Sequence, residues 1–166
     1  MKDGTMIRYT LYNSPVGILT LAADGKHLTA IRFARRNGSP DVEADWQRDD
    51  DLPVLAKTRT QLAEYFSGRR THFDVPLKPR GTAFQQAVWQ ALLKVGFSKT
   101  STYGALASAV GKPAAARAIG AAMGANPIPI IVPCHRIIGK DGSLTGFGGG
   151  IDRKTKLLQL EGVLLA

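Results

Sequence analysis

Cysteine occurs once in the 166 residues, at Cys134, and its setting is unusual for a core thiol. Pro133, Cys134, His135 and Arg136 stand in a row at the end of an apolar, proline-punctuated run, Asn126-Pro127-Ile128-Pro129-Ile130-Ile131-Val132. Such a run makes a short buried segment that ends on one thiol. Free cysteine is among the most buried residue types, so an inert core position is the ordinary reading of a lone Cys. The polar neighbours argue otherwise. Thiolate is the nucleophilic form, and an adjacent imidazole can take the proton or lower the thiol pKa. That imidazole works only if an acceptor on its far nitrogen holds it in place. The expected chemistry is nucleophilic attack by Cys134 with His135 as its base.

The elements before and after must position this pair. Thr82 caps a helix running through Phe84, Val88, Leu92 and Leu93, with Trp89 on the same broad face. Tyr103 to Val110 and Ala114 to Met123 read as two more helices, separated by a tight turn at Gly111-Lys112-Pro113. Helix, turn and helix form a helix-turn-helix pattern. The third helix has small side chains (Ala114, Ala115, Ala116, Ala118, Gly120, Ala121, Ala122) and can lie close against another surface. Tight packing on a neighbouring helix is a common reason for alanine, but it leaves Arg117, the one long cation on that face, unexplained. The glycine-rich stretch from Ser143 to Gly150 is expected to cover the pocket, and Ser98 to Thr102 is a polar connection.

The first half carries no chemistry of its own. Residues 7–34 read as an antiparallel meander with turns at Ser14-Pro15-Val16-Gly17 and Asp24-Gly25-Lys26. Arg35 to Asp51 is polar and irregular, Pro53 starts a helix that Gly68 stops, and His72 to Val75 is a short strand. Pro76-Leu77-Lys78-Pro79-Arg80-Gly81 marks a boundary. The expected architecture is an α/β N-terminal domain (small antiparallel sheet plus helix), residues 1–76, followed by a mainly α C-terminal domain with a helix-turn-helix, residues 77–166. His27 and His72 are isolated, and isolated histidines are more often structural than metal ligands.

The net charge is +9, and residues 81–166 hold nine Lys and Arg against only Asp141, Asp152 and Glu161. Excess positive charge in the half that carries the thiol fits a polyanionic partner. One cysteine excludes an internal disulfide framework and a multi-thiolate zinc site. No run reaches membrane-spanning length, and the first residues lack an apolar core of secretory type, so an intracellular, cytoplasmic location is expected.

Asn126-Pro127 through Pro133-Cys134-His135-Arg136, then Gly139, Thr145-Gly146-Phe147-Gly148-Gly149-Gly150, Arg153-Lys154 and Leu160-Glu161-Gly162, resembles the O6-alkylguanine–DNA alkyltransferases of the methylated-DNA–protein-cysteine methyltransferase family. With Gly81 to Trp89 and Tyr103 to Arg117 the resemblance covers most of residues 81–162. It implies DNA repair by direct reversal: an O6-alkylguanine, or an O4-alkylthymine, is flipped out of the duplex and its alkyl group passes irreversibly to Cys134. The implied partner is double-stranded DNA containing alkylated guanine, bound by a monomer without cofactor or metal. Human-type members hold zinc in the first half; this chain lacks the cysteines for it.

Residue by residue, Glu161 matches the glutamate that completes a Cys–water–His–Glu relay, and Asn126 the asparagine that braces the turn before the cysteine strand. Tyr103 matches the tyrosine that crowds the phosphate beside the target base and offers a proton to guanine N3. Arg117 matches the arginine that replaces the flipped nucleotide, on a helix (Ala115, Ala118, Gly120, Ala121) lying in the minor groove. Met123, Pro129, Val132, Phe147, Gly148 and Gly149 would line the base pocket, with main-chain groups around Val132, Cys134 and Gly148 reading the base edge. Phe147 stands where family members often carry tyrosine, so ring stacking is kept and a hydroxyl is lost. The rival from another class is a non-catalytic helix-turn-helix DNA-binding protein, which leaves Pro133-Cys134-His135-Arg136 without a role. A cysteine hydrolase would bring its histidine from a distant segment, and neither His27 nor His72 has the context.

Overall fold

The computed structural model describes residues 5–144 and 146–164. The chain divides into two compact units, Met1–Pro79 and Arg80–Ala166.

In the first unit, β1 (Arg8–Ser14), β2 (Gly17–Ala23) and β3 (Leu28–Phe33) pair antiparallel as expected. A two-residue strand, β4 (Gln47–Arg48), then adds to the free edge of β1 in parallel, so the sheet order is β3-β2-β1-β4 and the sheet is mixed. This corrects the purely antiparallel expectation and the irregular reading of residues 35–51. The correction has a side-chain basis: Arg8 pairs with Asp49 at 3.0 Å and Thr10 donates to Asp50 at 2.7 Å, which draws the acidic cluster onto β1. Helix α1 (Pro53–Phe66) has proline in its first turn, where the missing N–H is not needed. It ends where Gly68 takes φ +81°, the left-handed conformation that closes helices. Leu55, Leu62 and Tyr65 of α1 are buried, as are Leu19, Leu21, Leu28 and Ile31 of the sheet. The strand expected at His72–Val75 is absent. Gln61 holds Asp74 through both its backbone N–H (3.1 Å) and its carboxylate, and only Leu77 bridges to Leu28.

The second unit is built from α2 (Ala83–Leu92), β5 (Ser101–Thr102), α3 (Tyr103–Ala109), α4 (Ala116–Gly124), β6 (Ile137–Ile138) and α5 (Ile151–Leu160). Thr82 and Gln85 form a reciprocal capping box, with Gln85 N–H on Thr82 Oγ1 at 3.1 Å and Thr82 N–H on Gln85 Oε1 at 2.9 Å. Leu93, expected on the buried face, is 40% exposed, because α2 ends one residue earlier. The α4 helix starts at Ala116, two residues later than expected, and it follows a cap at Ala115 without a side-chain bond. The polar connection before α3 contains β5, which pairs in parallel with β6 just after the cysteine.

Trp89 ties α2 to α4. Its indole is 1% exposed, and Nε1 donates to the Ala122 carbonyl at 2.9 Å. That carbonyl lies in the last turn of α4, where main-chain acceptors have no intrahelical donor. A Cβ on Gly81 would stand 2.4 Å from the indole ring, so the glycine makes room for the tryptophan. Trp89→Phe keeps most of the apolar bulk and orphans the buried acceptor. The expected loss is about 1–3 kcal/mol, read from the denaturant midpoint; an unchanged midpoint would show that another donor takes over.

Candidate active site

The apolar run before Cys134 is buried, as expected, and forms a series of tight turns. Val132 N–H bonds to Ile128 O at 2.9 Å, Ile131 N–H to Pro129 O at 2.9 Å, and Cys134 N–H to Val132 O at 2.8 Å. Ile130 sits at φ +73°, a conformation that a β-branched residue adopts only when its surroundings impose it. Here they do: the side chains of Ile128, Ile130 and Val132 are each 1% exposed or less. The run leads into a single 3₁₀ turn, Cys134–Arg136, and then into β6.

Asn126 braces these turns. Its Oδ1 accepts from Ile128 N–H at 3.0 Å, and its Nδ2 donates to Val132 O at 2.9 Å and to Cys134 Sγ at 3.3 Å. Its own N–H bonds to Met123 O at 3.1 Å, so one residue joins the end of α4 to the thiol. The Val132 carbonyl, expected to read a base edge, already accepts from Asn126 and from Cys134 N–H.

Behind the thiol lies the acceptor that His135 requires. His135 Nε2 and Glu161 Oε2 are 2.7 Å apart, and both side chains are fully buried. Glu161 caps the C-terminus of α5, so the His135–Glu161 pair is brought together by the packing of that helix on the 3₁₀ turn. The same carboxylate receives Arg136, with Nε to Oε1 at 2.8 Å and Nη2 to Oε2 at 3.0 Å. Nδ1 of His135 is buried with no hydrogen-bond partner among the described residues. Lys154 of α5 is also fully buried, and its Nζ donates to Ile137 O at 2.5 Å.

The electrostatics follow from burial. Desolvation pushes the Cys134 thiol up from its ordinary value, while the Asn126 hydrogen bond and the Lys154 charge favour the thiolate. Burial also holds His135 below its usual range; the Glu161 hydrogen bond and charge oppose this, and Arg136 and Lys154 add to it. His135 is therefore neutral at pH 7 and suited to accept a proton. The positive charge that favours the thiolate comes from Lys154, whose own pKa burial lowers.

This sets a pH dependence of stability. The unfolded chain protonates His135 near pH ~6.5, whereas the native state resists protonation to a lower pH. Between the two values the unfolded state binds more protons, so stability rises with pH through that window and is complete above it. Acidification from pH ~7 to ~5 should lower the unfolding free energy, read by denaturant titration, by up to ~1.4 kcal/mol per pH unit from this one group. His135→Gln should flatten that slope; an equal slope in both proteins would place the acid sensitivity elsewhere.

The remaining expected residues fall around this centre. On α4, Arg117, Ala118 and Ala121 are exposed, while Ala115 and Gly120 are half-buried. The opposite face buries Ile119, Ala122 and Met123. Pro129 and Val132 are buried, Phe147 and Gly149 half-buried, and Gly148 exposed. Tyr103 is half-buried at the start of α3, and a Cβ on Gly146 would lie 3.8 Å from its hydroxyl, which places that hydroxyl beside the glycine loop. Thr145 of that loop lies outside the described residues. Arg136 and Lys154 were visible in the sequence only as motif positions. Their burial among Ile137, Leu157 and Leu158 had no local signal beyond the apolar residues flanking them.

A buried thiol joined by an asparagine to the end of an exposed small-residue helix, with a histidine–carboxylate pair behind it, defines a protein that uses its own cysteine chemically. Residues 83–163 match the family described as 6-O-methylguanine DNA methyltransferase, DNA binding domain, and residues 7–79 match its ribonuclease-like domain. The methylated-DNA–protein-cysteine methyltransferase of Haemophilus influenzae is 51% identical over 158 residues, covering 95% of this chain and 87% of that protein. The Mycobacterium tuberculosis protein of the same name is 49% identical over 156 residues, covering 94% and 93%. The crystal structure of the M. tuberculosis O6-methylguanine methyltransferase superposes with a TM-score of 0.84 at 48% identity, covering 94% of this chain and 93% of that one. The M. tuberculosis OGT in complex with DNA gives 0.83 at 47% identity, covering 94% and 92%. The chain belongs to the methylated-DNA–protein-cysteine methyltransferase family.

Proposed function

We propose that the protein repairs alkylated DNA by moving the alkyl group from guanine O6 to Cys134. The observation that carries this reading is the single thiol held by Asn126 at the end of α4 and backed by His135 and Glu161. Cys134 loses its proton toward His135, the sulfur attacks the alkyl carbon, a C–S bond forms as the C–O bond breaks, and guanine leaves with the bonding pair. Tyr103, by the glycine loop, is the proton donor proposed for the departing base. Guanine O6 lies inside the paired duplex, so the nucleotide must first leave the stack, at a cost of a few kcal/mol. The exposed alanine face of α4 fits close against a groove, and Arg117 fills the gap. Phe147, Gly148 and Gly149 with Met123 and Pro129 enclose the base. The substrate places the protein inside the cell, acting as a monomer wherever DNA is kept.

The defining test is intact mass after incubation with duplex DNA containing O6-methylguanine. One methyl group per chain, with no second turnover, is expected, because no other thiol exists to regenerate Cys134. Repeated turnover would refute a stoichiometric transfer, and a mass that never changes would favour the non-catalytic DNA-binding protein. The role of Arg117 separates from the chemistry. Arg117→Ala should slow repair of duplex DNA strongly and leave reaction with free O6-benzylguanine, which needs no flipping, nearly unchanged. Equal losses would place Arg117 in another role.

A further inference from the structure

Arg136 belongs to the basic half of the protein, yet it cannot serve a phosphate. It is 7% exposed, and each of its three guanidinium nitrogens is engaged inside the fold. Nε and Nη2 grip the two oxygens of Glu161, and Nη1 donates to the Val95 carbonyl at 2.7 Å. The guanidinium carbon also lies 5.9 Å from the centroid of the Phe97 ring. This arginine is anchored at one side to the loop after α2 and at the other to the end of α5.

The consequence falls on Glu161. Four donor positions converge on its two oxygens: Arg136 Nε and Ser98 N–H (3.3 Å) on Oε1, Arg136 Nη2 and His135 Nε2 on Oε2. Ser98 reaches that position with φ +64°, a left-handed backbone uncommon for a residue with a side chain. A carboxylate accepts at all four sites, whereas a carboxylic acid would place its own hydrogen against a donor. With the carboxylate form fixed, the shared atom of His135 must be an N–H donor. Neutral imidazole has only one such hydrogen, so Nδ1 is left with its lone pair free. The other charged group acting on the imidazole is Lys154 of α5, which favours neutral imidazole; the titratable thiol of Cys134 lies on the same turn.

We propose that Arg136 is a positioning residue for alkyl transfer: by gripping both oxygens of Glu161 and the Val95 carbonyl, it fixes the His135 proton on Nε2 and leaves Nδ1 as the base that takes the proton of Cys134 through one water. This rests on the alkyl-transfer reading above and adds to it the group that sets the tautomer. Without Arg136, a buried Glu161 loses its counter-charge and takes up a proton, and the imidazole loses its fixed donor role.

Two measurements on the full chain test this. The first is the ¹⁵N spectrum of His135 in the wild-type protein at neutral pH, which distinguishes the two neutral tautomers. A proton on Nε2 is expected; a proton on Nδ1 overturns the proposal, whatever any variant does. The second is single-turnover methyl transfer from an O6-methylguanine duplex across pH ~6–9, comparing the wild type with Arg136→Met. The variant should be slower by on the order of 10²-fold near neutrality, the scale of a general base. It should recover as rising pH ionises Glu161, with duplex affinity unchanged. A loss of equal size at every pH, with the wild-type tautomer retained in the variant, means that Arg136 only supports the fold and overturns the proposal. If the wild type itself accepts no methyl group, the alkyl-transfer reading fails; the tautomer of His135 is decided independently.

Discussion

Cys134→Ala should accept no alkyl group from O6-methylguanine duplex while still binding that duplex. The loss is complete because no other cysteine exists to take the alkyl group. Survival of the fold follows from the local bonding. Asn126 Nδ2 also donates to Val132 O at 2.9 Å, so removing Sγ takes away one of its two acceptors and leaves the brace in place. Sulfur to hydrogen is a small volume change in a site that is 7% exposed, and the helix surface that meets DNA is untouched. Intact mass and an electrophoretic mobility shift on one preparation decide it. Any covalent adduct on the variant would place the acceptor elsewhere. Loss of duplex binding would show that the thiol, and not the α4 surface, holds the lesion.

Glu161→Ala is the second large effect, and it acts on both stability and rate. The glutamate is 2% exposed and receives Arg136, Ser98 N–H and His135. Its removal leaves a guanidinium buried without its counter-charge, which costs roughly 3–5 kcal/mol. At about 2–4 °C per kcal/mol for a chain of this size, Tm should fall by on the order of 10 °C. His135 loses its orienting acceptor as well, so the transfer rate should fall by about 10²–10⁴, the usual contribution of a positioned base. Glu161→Gln separates the two: its amide oxygen still accepts from Arg136, so Tm should recover partly while the rate stays low. A Glu161→Ala protein that melts like the wild type would mean that Arg136 finds water or another acceptor. A normal rate in Glu161→Gln would remove the carboxylate from the relay.

What the sequence disclosed and what it withheld divide along a physical line. Features written in contiguous residues were legible: the alternation of β1 to β3, the Thr82 cap of α2, the proline start and glycine stop of α1, and the Pro133-Cys134-His135-Arg136 run. Features written by partners distant in the chain were not. The strands β4, β5 and β6 are two residues each, too short for any periodicity, and exist because an edge elsewhere needs their hydrogen bonds. His72 to Val75 looked like a strand, but the Gln61 side chain claims Asp74. Arg136 and Lys154 carry charges that ordinarily mark a surface. Their burial depends on a carboxylate and a carbonyl supplied by other segments, which no window around them contains. Glu161 was found through the family motif; position alone allowed a solvent-facing carboxylate at a helix end.

Asn126 is hydrogen-bonded at once to the last turn of α4, to the turn before the nucleophile, and to the sulfur itself. Two events meet on this side chain: occupancy of the helix surface and the covalent state of the thiol. Free energies around a closed cycle must balance, so whatever factor duplex binding applies to ionisation of the sulfur, that ionisation applies to duplex affinity. An alkylated sulfur gains bulk and can no longer ionise, and is a poorer acceptor for the amide than the thiolate. The transfer therefore weakens one of the bonds by which Asn126 joins the thiol to the end of α4.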